Sequence, residues 1–233
     1  TEIIFNGTPG GDIISMKDCL ELMGVEIIKE EGKWTIIPPK NGLIAPKENI
    51  NCGNSGTVAK IMSVIAATFE SEITIDGDRS LRKRSNVELS KCLREMGCEV
   101  SGDSFPCKIK GPMKFRNNLE IDVSKSSQPI TALILSSSDF KDKMCVKLLG
   151  KGVSKGYLEL TIDLARKWGL KTELKNSSIE LYNWNVKSPG VVRIPSEISL
   201  YPMAILLDKL HCNLQVKVQK DDPDNLLSSI LDD

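Results

Sequence analysis

The chain has 233 residues, 40% of them apolar, which is enough for one large domain or two small ones with a real core. Lys plus Arg and Asp plus Glu both number 31, so the formal charge is zero. That excludes a general nucleic-acid or membrane-surface binder, which needs a basic excess, and leaves local basic clusters available to a small anion.

Apolar runs fall short of the roughly 18 residues of a membrane span, and nothing at the N-terminus reads as a signal peptide. A soluble, cytoplasmic protein is expected. The 7 cysteines have no C-x-x-C spacing and His211 is the 1 histidine, which argues against a zinc site and a His-centred triad. Most of the cysteines are expected to be small buried residues of a reduced protein.

In chain order, residues 1–5 read as a strand, 7–11 as a glycine-rich turn, and 12–23 as a helix closed by Gly24. Residues 25–28 and 34–37 face each other as strands across Glu31-Gly32. Next comes Ile50-Asn51-Cys52-Gly53-Asn54-Ser55-Gly56-Thr57, leading into an apolar helix over 58–69. Its two glycines let the backbone approach a ligand, and the N–H groups at a helix start form a ready anion site. On pattern alone, a glycine turn with an ordinary Thr57 cap serves equally.

The order strand 72–76, loop 77–84, helix 86–96, Gly97 then returns as strand 119–123, polar junction 124–128, helix 129–136, strand 145–149, loop 150–156, helix 157–168, Gly169. Gly24, Gly97 and Gly169 are separated by 73 and 72 residues, and the junctions at Gly53 and Ser124 by 71. A third junction at 194–199 leads into an apolar run over 200–210 and a strand over 213–219. The spacing predicts an α/β repeat of about 70 residues, each copy being strand, helix, strand, helix and a short hairpin around a shared core. Residues 1–28 match only the second half of a copy and the last copy is cut short, so a fragment of a longer protein, lacking both ends, is expected.

Four ordered stretches carry a family resemblance: 51–57, the loop Asp76-Gly77-Asp78-Arg79-Ser80-Leu81-Arg82-Lys83-Arg84, the junction Ser126-Ser127-Gln128, and Gly152-Val153-Ser154-Lys155-Gly156-Tyr157. In sequence and spacing the chain resembles the 5-enolpyruvylshikimate 3-phosphate synthases. The resemblance implies an α/β fold of repeated βαβαββ units, with helices packed inward and mixed sheets outside (an inside-out α/β barrel, the enolpyruvyl-transferase fold). It divides the chain into residues 1–190, most of the N-terminal domain, and 191–233, the truncated start of the C-terminal one. It also implies transfer of the enolpyruvyl group of phosphoenolpyruvate to the 5-hydroxyl of shikimate 3-phosphate by a monomer, with no metal or cofactor and no nucleic-acid or membrane partner.

By the same resemblance, shikimate 3-phosphate falls to Ser126, Ser127, Gln128, Ser154 and Tyr157, with Lys155 nearby. Phosphoenolpyruvate falls to Gly56, Arg84, Gln128 and Lys60. Read without it, Ser126 and Ser127 serve as helix caps and residues 82–84 as a solvated charge run. The family's acid and base are expected outside this chain, so no residue here is assigned either role.

Two departures stand out: Ser85 where the family often has proline, and Glu197 with Leu200-Tyr201-Pro202 where Asp and small residues are usual. Other readings are a degenerate paralogue or excised half that only binds shikimate 3-phosphate or a partner, and a UDP-N-acetylglucosamine enolpyruvyl transferase. The latter normally carries a reactive cysteine in the loop matching 78–85, where this chain has none. RNA 3'-phosphate cyclases use a similar unit, but need a catalytic histidine and a basic face.

Overall fold

Three mixed sheets of four strands each result from the repeat. The computed structural model describes residues 1–114, 118–150 and 155–194. The first copy contributes β1 (Glu2–Ile4), α1 (Gly11–Leu22), β2 (Glu26–Glu30) and β3 (Lys33–Ile37). The second runs β4 (Ile50–Asn51), α2 (Gly56–Ala66), β5 (Ile73–Asp76), α3 (Val87–Glu95), β6 (Glu99–Val100), β7 (Cys107–Lys110). The third runs β8 (Leu119–Asp122), α4 (Gln128–Ser136), β9 (Met144–Leu149), α5 (Lys155–Lys167), β10 (Leu174–Lys175), β11 (Ser178–Leu181), and β12 (Val191–Arg193) follows it.

In both complete copies the first strand pairs parallel with the second, β4 with β5 and β8 with β9, and a hairpin closes the sheet antiparallel. In the first sheet the strand parallel to β1 is β12, with Glu2 opposite Val191 and Ile4 opposite Arg193.

All five helices expected within the described residues are present, their ends shifted by up to three residues; the helix expected to start near 224 lies outside those residues. Each of α1, α3 and α5 ends in the same way. Gly24, Gly97 and Gly169 take φ of +90°, +82° and +114°. Their N–H groups bond Glu21 O, Arg94 O and Arg166 O, while the next residues' N–H groups reach back to Leu20 O, Leu93 O and Ala165 O. This paired closure satisfies otherwise orphaned carbonyls and requires a left-handed residue, which glycine adopts at least cost. Helix α2 starts two residues before the expected 58 because Ser55 is its cap, with Ser55 Oγ accepting from Val58 N at 3.3 Å. It stops at Ala66 because Thr68 and Phe69 bond three residues back, tightening the last turn.

Helices α2 and α4 pack on each other and are buried almost all round, which their apolar sequences permit. The strands of the second and third sheets alternate buried and outward residues, as in Cys107 to Lys110. One core therefore joins these two sheets, with Met62, Leu133 and Phe140 fully enclosed. A smaller cluster of Val25, Ile27 and Trp34 underlies the first sheet, where Phe5 meets Trp34 edge-on at 5.5 Å. Among the described residues no helix is long and apolar enough to cross a membrane.

Candidate functional site

The two junctions are built alike, atom for atom in places. Asn51 Oδ1 accepts from Gly53 N at 3.0 Å, and Asp122 Oδ1 from Ser124 N at 2.8 Å. Cys52 N donates to Asp76 O and Val123 N to Leu149 O, fastening each junction to the end of the neighbouring strand. Each junction thus turns its helix start toward the same end of the sheets. Beneath the first, the free thiols of Cys19 and Cys52 are buried as neighbours, and Cys19 Sγ donates to Asn51 O at 3.6 Å. With that contact and burial, the Cys52 thiol is held far above its ordinary range.

The helix starts meet directly. Gln128 Nε2 donates to Thr57 Oγ1 at 2.9 Å, and these residues stand 71 apart, the same offset that relates Gly53 to Ser124. Thr57 is therefore not the cap of α2. Ser55 does that, and the Thr57 hydroxyl orients the Gln128 amide. At the start of an α-helix the first N–H groups have no intrahelical acceptor, so those of Gly56 and Thr57 are available to a ligand.

Gly56 is the crowded point. A Cβ there would stand 3.2 Å from a terminal nitrogen of Arg84 and 3.3 Å from Gln128 Oε1. Glycine lets these two side chains close over the helix start. Arg84 arrives on the loop after β5, which is bound to the first junction by Asp78 N to Gly53 O at 2.8 Å. Within that loop Asp78 Oδ1 accepts from Ser80 N and Leu81 N, both at 2.8 Å.

The three basic residues at 82–84 are not equivalent. Arg82 is committed: its Nε and a terminal nitrogen reach the two oxygens of Asp76 at 2.9 and 2.6 Å. The Arg82 hydrogen bond, helped by the Gly77 N–H, lowers the Asp76 carboxyl below its ordinary value. Arg84 donates once, to Asn54 Oδ1 at 3.0 Å, and is otherwise exposed, so most of its planar fork is free.

Lys60 lies one turn beyond Gly56 on α2 and is only 7% exposed. Among the described residues it has neither a carboxylate partner nor a hydrogen bond. Burial first, and Arg84 second, push its ammonium below the ordinary value.

At the second junction Ser126 Oγ accepts from Gln128 N at 3.2 Å, while Ser127 is buried at the cap position of α4 without a capping bond. Tyr157 is 55% exposed near the start of α5, and α5 is tied to α4 by Thr131 Oγ1 and Thr161 Oγ1 at 3.3 Å. The structure therefore gathers Gly56, Arg84 and Gln128 in one place, with Lys60 behind them. No hydrogen bond joins Tyr157 to that group, and Ser154 lies outside the described residues, as do Gly152, His211 and almost all of the third junction. No local pattern in the sequence marks Asn54 and Thr57 as orienting residues, but the offset of 71 pairs Thr57 with Gln128.

A family model described as EPSP synthase (3-phosphoshikimate 1-carboxyvinyltransferase) matches residues 2–200. The chain is 31% identical over 179 residues to the 3-phosphoshikimate 1-carboxyvinyltransferase of Pseudomonas syringae pv. syringae, covering 75% of this chain and 42% of that one. It is 31% identical over 193 residues to the protein of the same name from Thermococcus kodakarensis, covering 80% and 44%. The chain thus spans less than half the length of these relatives. In the solved structures it is similar to an EPSP synthase from Acinetobacter baumannii, with a TM-score of 0.70 at 23% identity over 86% of this chain and 45% of that one, a likeness of fold.

Proposed function

Because the chain belongs to the EPSP synthase family, we propose that it supplies one side of an enolpyruvyl-transferase active site, in a cytoplasmic monomer that passes the enolpyruvyl group of phosphoenolpyruvate to the 5-hydroxyl of shikimate 3-phosphate. The observation that carries this reading is the convergence of Gly56, Arg84 and Gln128 at the start of α2, with the buried Lys60, unpaired among the described residues, below. Such a site suits a compact anion: backbone N–H groups, a planar guanidinium and a second cation, with no acidic side chain among them.

In the reaction the hydroxyl adds to C2 of phosphoenolpyruvate while C3 takes a proton, and phosphate then leaves the tetrahedral carbon as C3 gives the proton back. Cations held rigidly beside the phosphoryl group stabilise charge as the C–O bond breaks. Arg84 and Lys60 are assigned that role, and Gln128, oriented by Thr57, is assigned to touch both substrates. Ser126 and Ser127, with Ser154 and Tyr157 from the next copy's loop, are assigned to shikimate 3-phosphate. We place the domain boundary at β12: residues 1–190 form most of one domain, and residues 191–233 lead into the other through a strand still bonded to β1.

Calorimetric titration of shikimate 3-phosphate, with shikimate as control, tests the assignment. Charge-assisted hydrogen bonds contribute roughly 1.5 to 3 kcal/mol each, so Ser126→Ala/Ser127→Ala should weaken phosphate-dependent binding by about two powers of ten. Equal binding of shikimate and its phosphate, or affinity indifferent to the double substitution, would remove the junction from the substrate site.

A further inference from the structure

Lys60 stands out among the cations of the molecule. It follows Gly56 by four residues, so both lie on one face of α2, and it is the single charged residue of that helix. The elements packed against α2 offer it no counter-ion among the described residues. Helix α4 has no charged side chain. On α1, Asp18 and Glu21 are held by Lys17, and Asp12 is exposed. On β5, Asp76 is taken by Arg82. On β7, Lys108 and Lys110 pair with Glu72 and Glu99, and Cys107 donates to Gly102 O. The thiols of Cys19 and Cys52 face each other. The charge that does reach Lys60 is that of Arg84, which repels it.

A buried ammonium without a partner is relieved either by losing its proton or by gaining an anion. The two are linked, since whatever anion settles beside Arg84 favours the protonated amine. Resting on the reading above, we propose that the anion site pairs a permanent cation, Arg84, with a titratable one, Lys60, so that phosphoenolpyruvate entering in mildly alkaline solution is accompanied by uptake of a proton from solvent onto the Lys60 amine. The balance is simple: neutral amine, proton and anion give an ammonium–anion pair, with no other bond made or broken. The sign follows. As pH rises and Lys60 loses its proton, affinity falls, and an arginine in its place, which does not titrate, removes that dependence.

The test is calorimetric titration of phosphoenolpyruvate, with shikimate 3-phosphate present, at about pH 9, where the ligand phosphate is far above its own second pKa of about 6. Two buffers of different ionisation heat report the protons exchanged. The intact chain should take up a fraction of a proton per ligand. Lys60→Arg should bind without uptake and with an affinity flat in pH, whereas Lys60→Met should lose roughly tenfold or more in affinity. Binding without uptake by the unaltered chain, or uptake that survives in Lys60→Arg, overturns the proposal, and Lys60→Arg decides the matter even if Lys60→Met fails to fold. Absence of any phosphoenolpyruvate binding would be a different result, overturning the anion-site reading itself.

Discussion

Arg84→Met should lower the affinity for phosphoenolpyruvate by two to three powers of ten while leaving the thermal midpoint almost unchanged. The size follows from two charge-assisted hydrogen bonds at roughly 1.5 to 3 kcal/mol each, one of them partly replaced by water. The selectivity follows from position. Arg84 is exposed and its hydrogen bond is to Asn54, a residue of the same loop pair, so no core group loses a partner. Arg82 cannot stand in, because both of its bonds to Asp76 would have to break first. Titration of both variants is therefore a discriminating measurement. Arg82→Met should act mainly through the loop, with a weaker effect on binding, and equal losses would show that the free guanidinium has been assigned to the wrong residue.

Gly77→Ala should have the largest effect on the fold near the site. An added Cβ would collide with the carbonyl oxygen of Gly53 and with Cδ2 of Leu81. Neither can step aside cheaply: the first is backbone that accepts from Asp78 N, and the second is fully enclosed in the core. Relief requires the loop after β5 to lift from the first junction, straining the bond of Cys52 N to Asp76 O as well. Overpacking of this kind costs about 3 kcal/mol, and at about 2 to 4 °C per kcal/mol for a body of this size the midpoint should drop by roughly 6 to 12 °C. Phosphoenolpyruvate binding should weaken in parallel, since Arg84 rides on the displaced loop. A scanning calorimetry trace that matches the unaltered chain would show that the two loops are not in tight apposition.

Local chemistry explains what could be read in the sequence and what could not. Gly24, Gly97 and Gly169 announce helix ends because a left-handed closure needs glycine within one turn of the helix it ends. The strand at 73–76 is legible because alternate residues face the core. The two residues of β4 and the three of β12 have no such period, being strands only by virtue of partners at 75–76 and 2–4. At the site, the repeat offset together with the resemblance gathered Gly56, Arg84 and Gln128 onto one list. The cap is not legible, since Ser55 and Thr57 are equally good capping residues and only the position of Gln128 decides between them. That Lys60 is enclosed and, among the described residues, unpaired depends on what surrounds α2 from four other elements, which no spacing within the helix encodes.

The pairing of β1 with β12 also dictates an order of assembly. As the chain leaves the ribosome, the second and third sheets find every partner strand within their own stretches, 50–110 and 119–181. They can form as they emerge. Among the described residues the first sheet holds only β1, β3 and β2 until Val191 appears, so its seam with β12 closes some 190 residues after β1 was made. Hydrogen exchange on chains arrested at successive lengths should find the amides of 73–76 and 144–149 protected before those of Glu2 and Ile4, which face β12, and the reverse order would mean that the first sheet completes itself by another route. Among the described residues, β1 has no partner on that side until residues 191–193 are made, and an unpaired strand edge is the place where another extended segment adds.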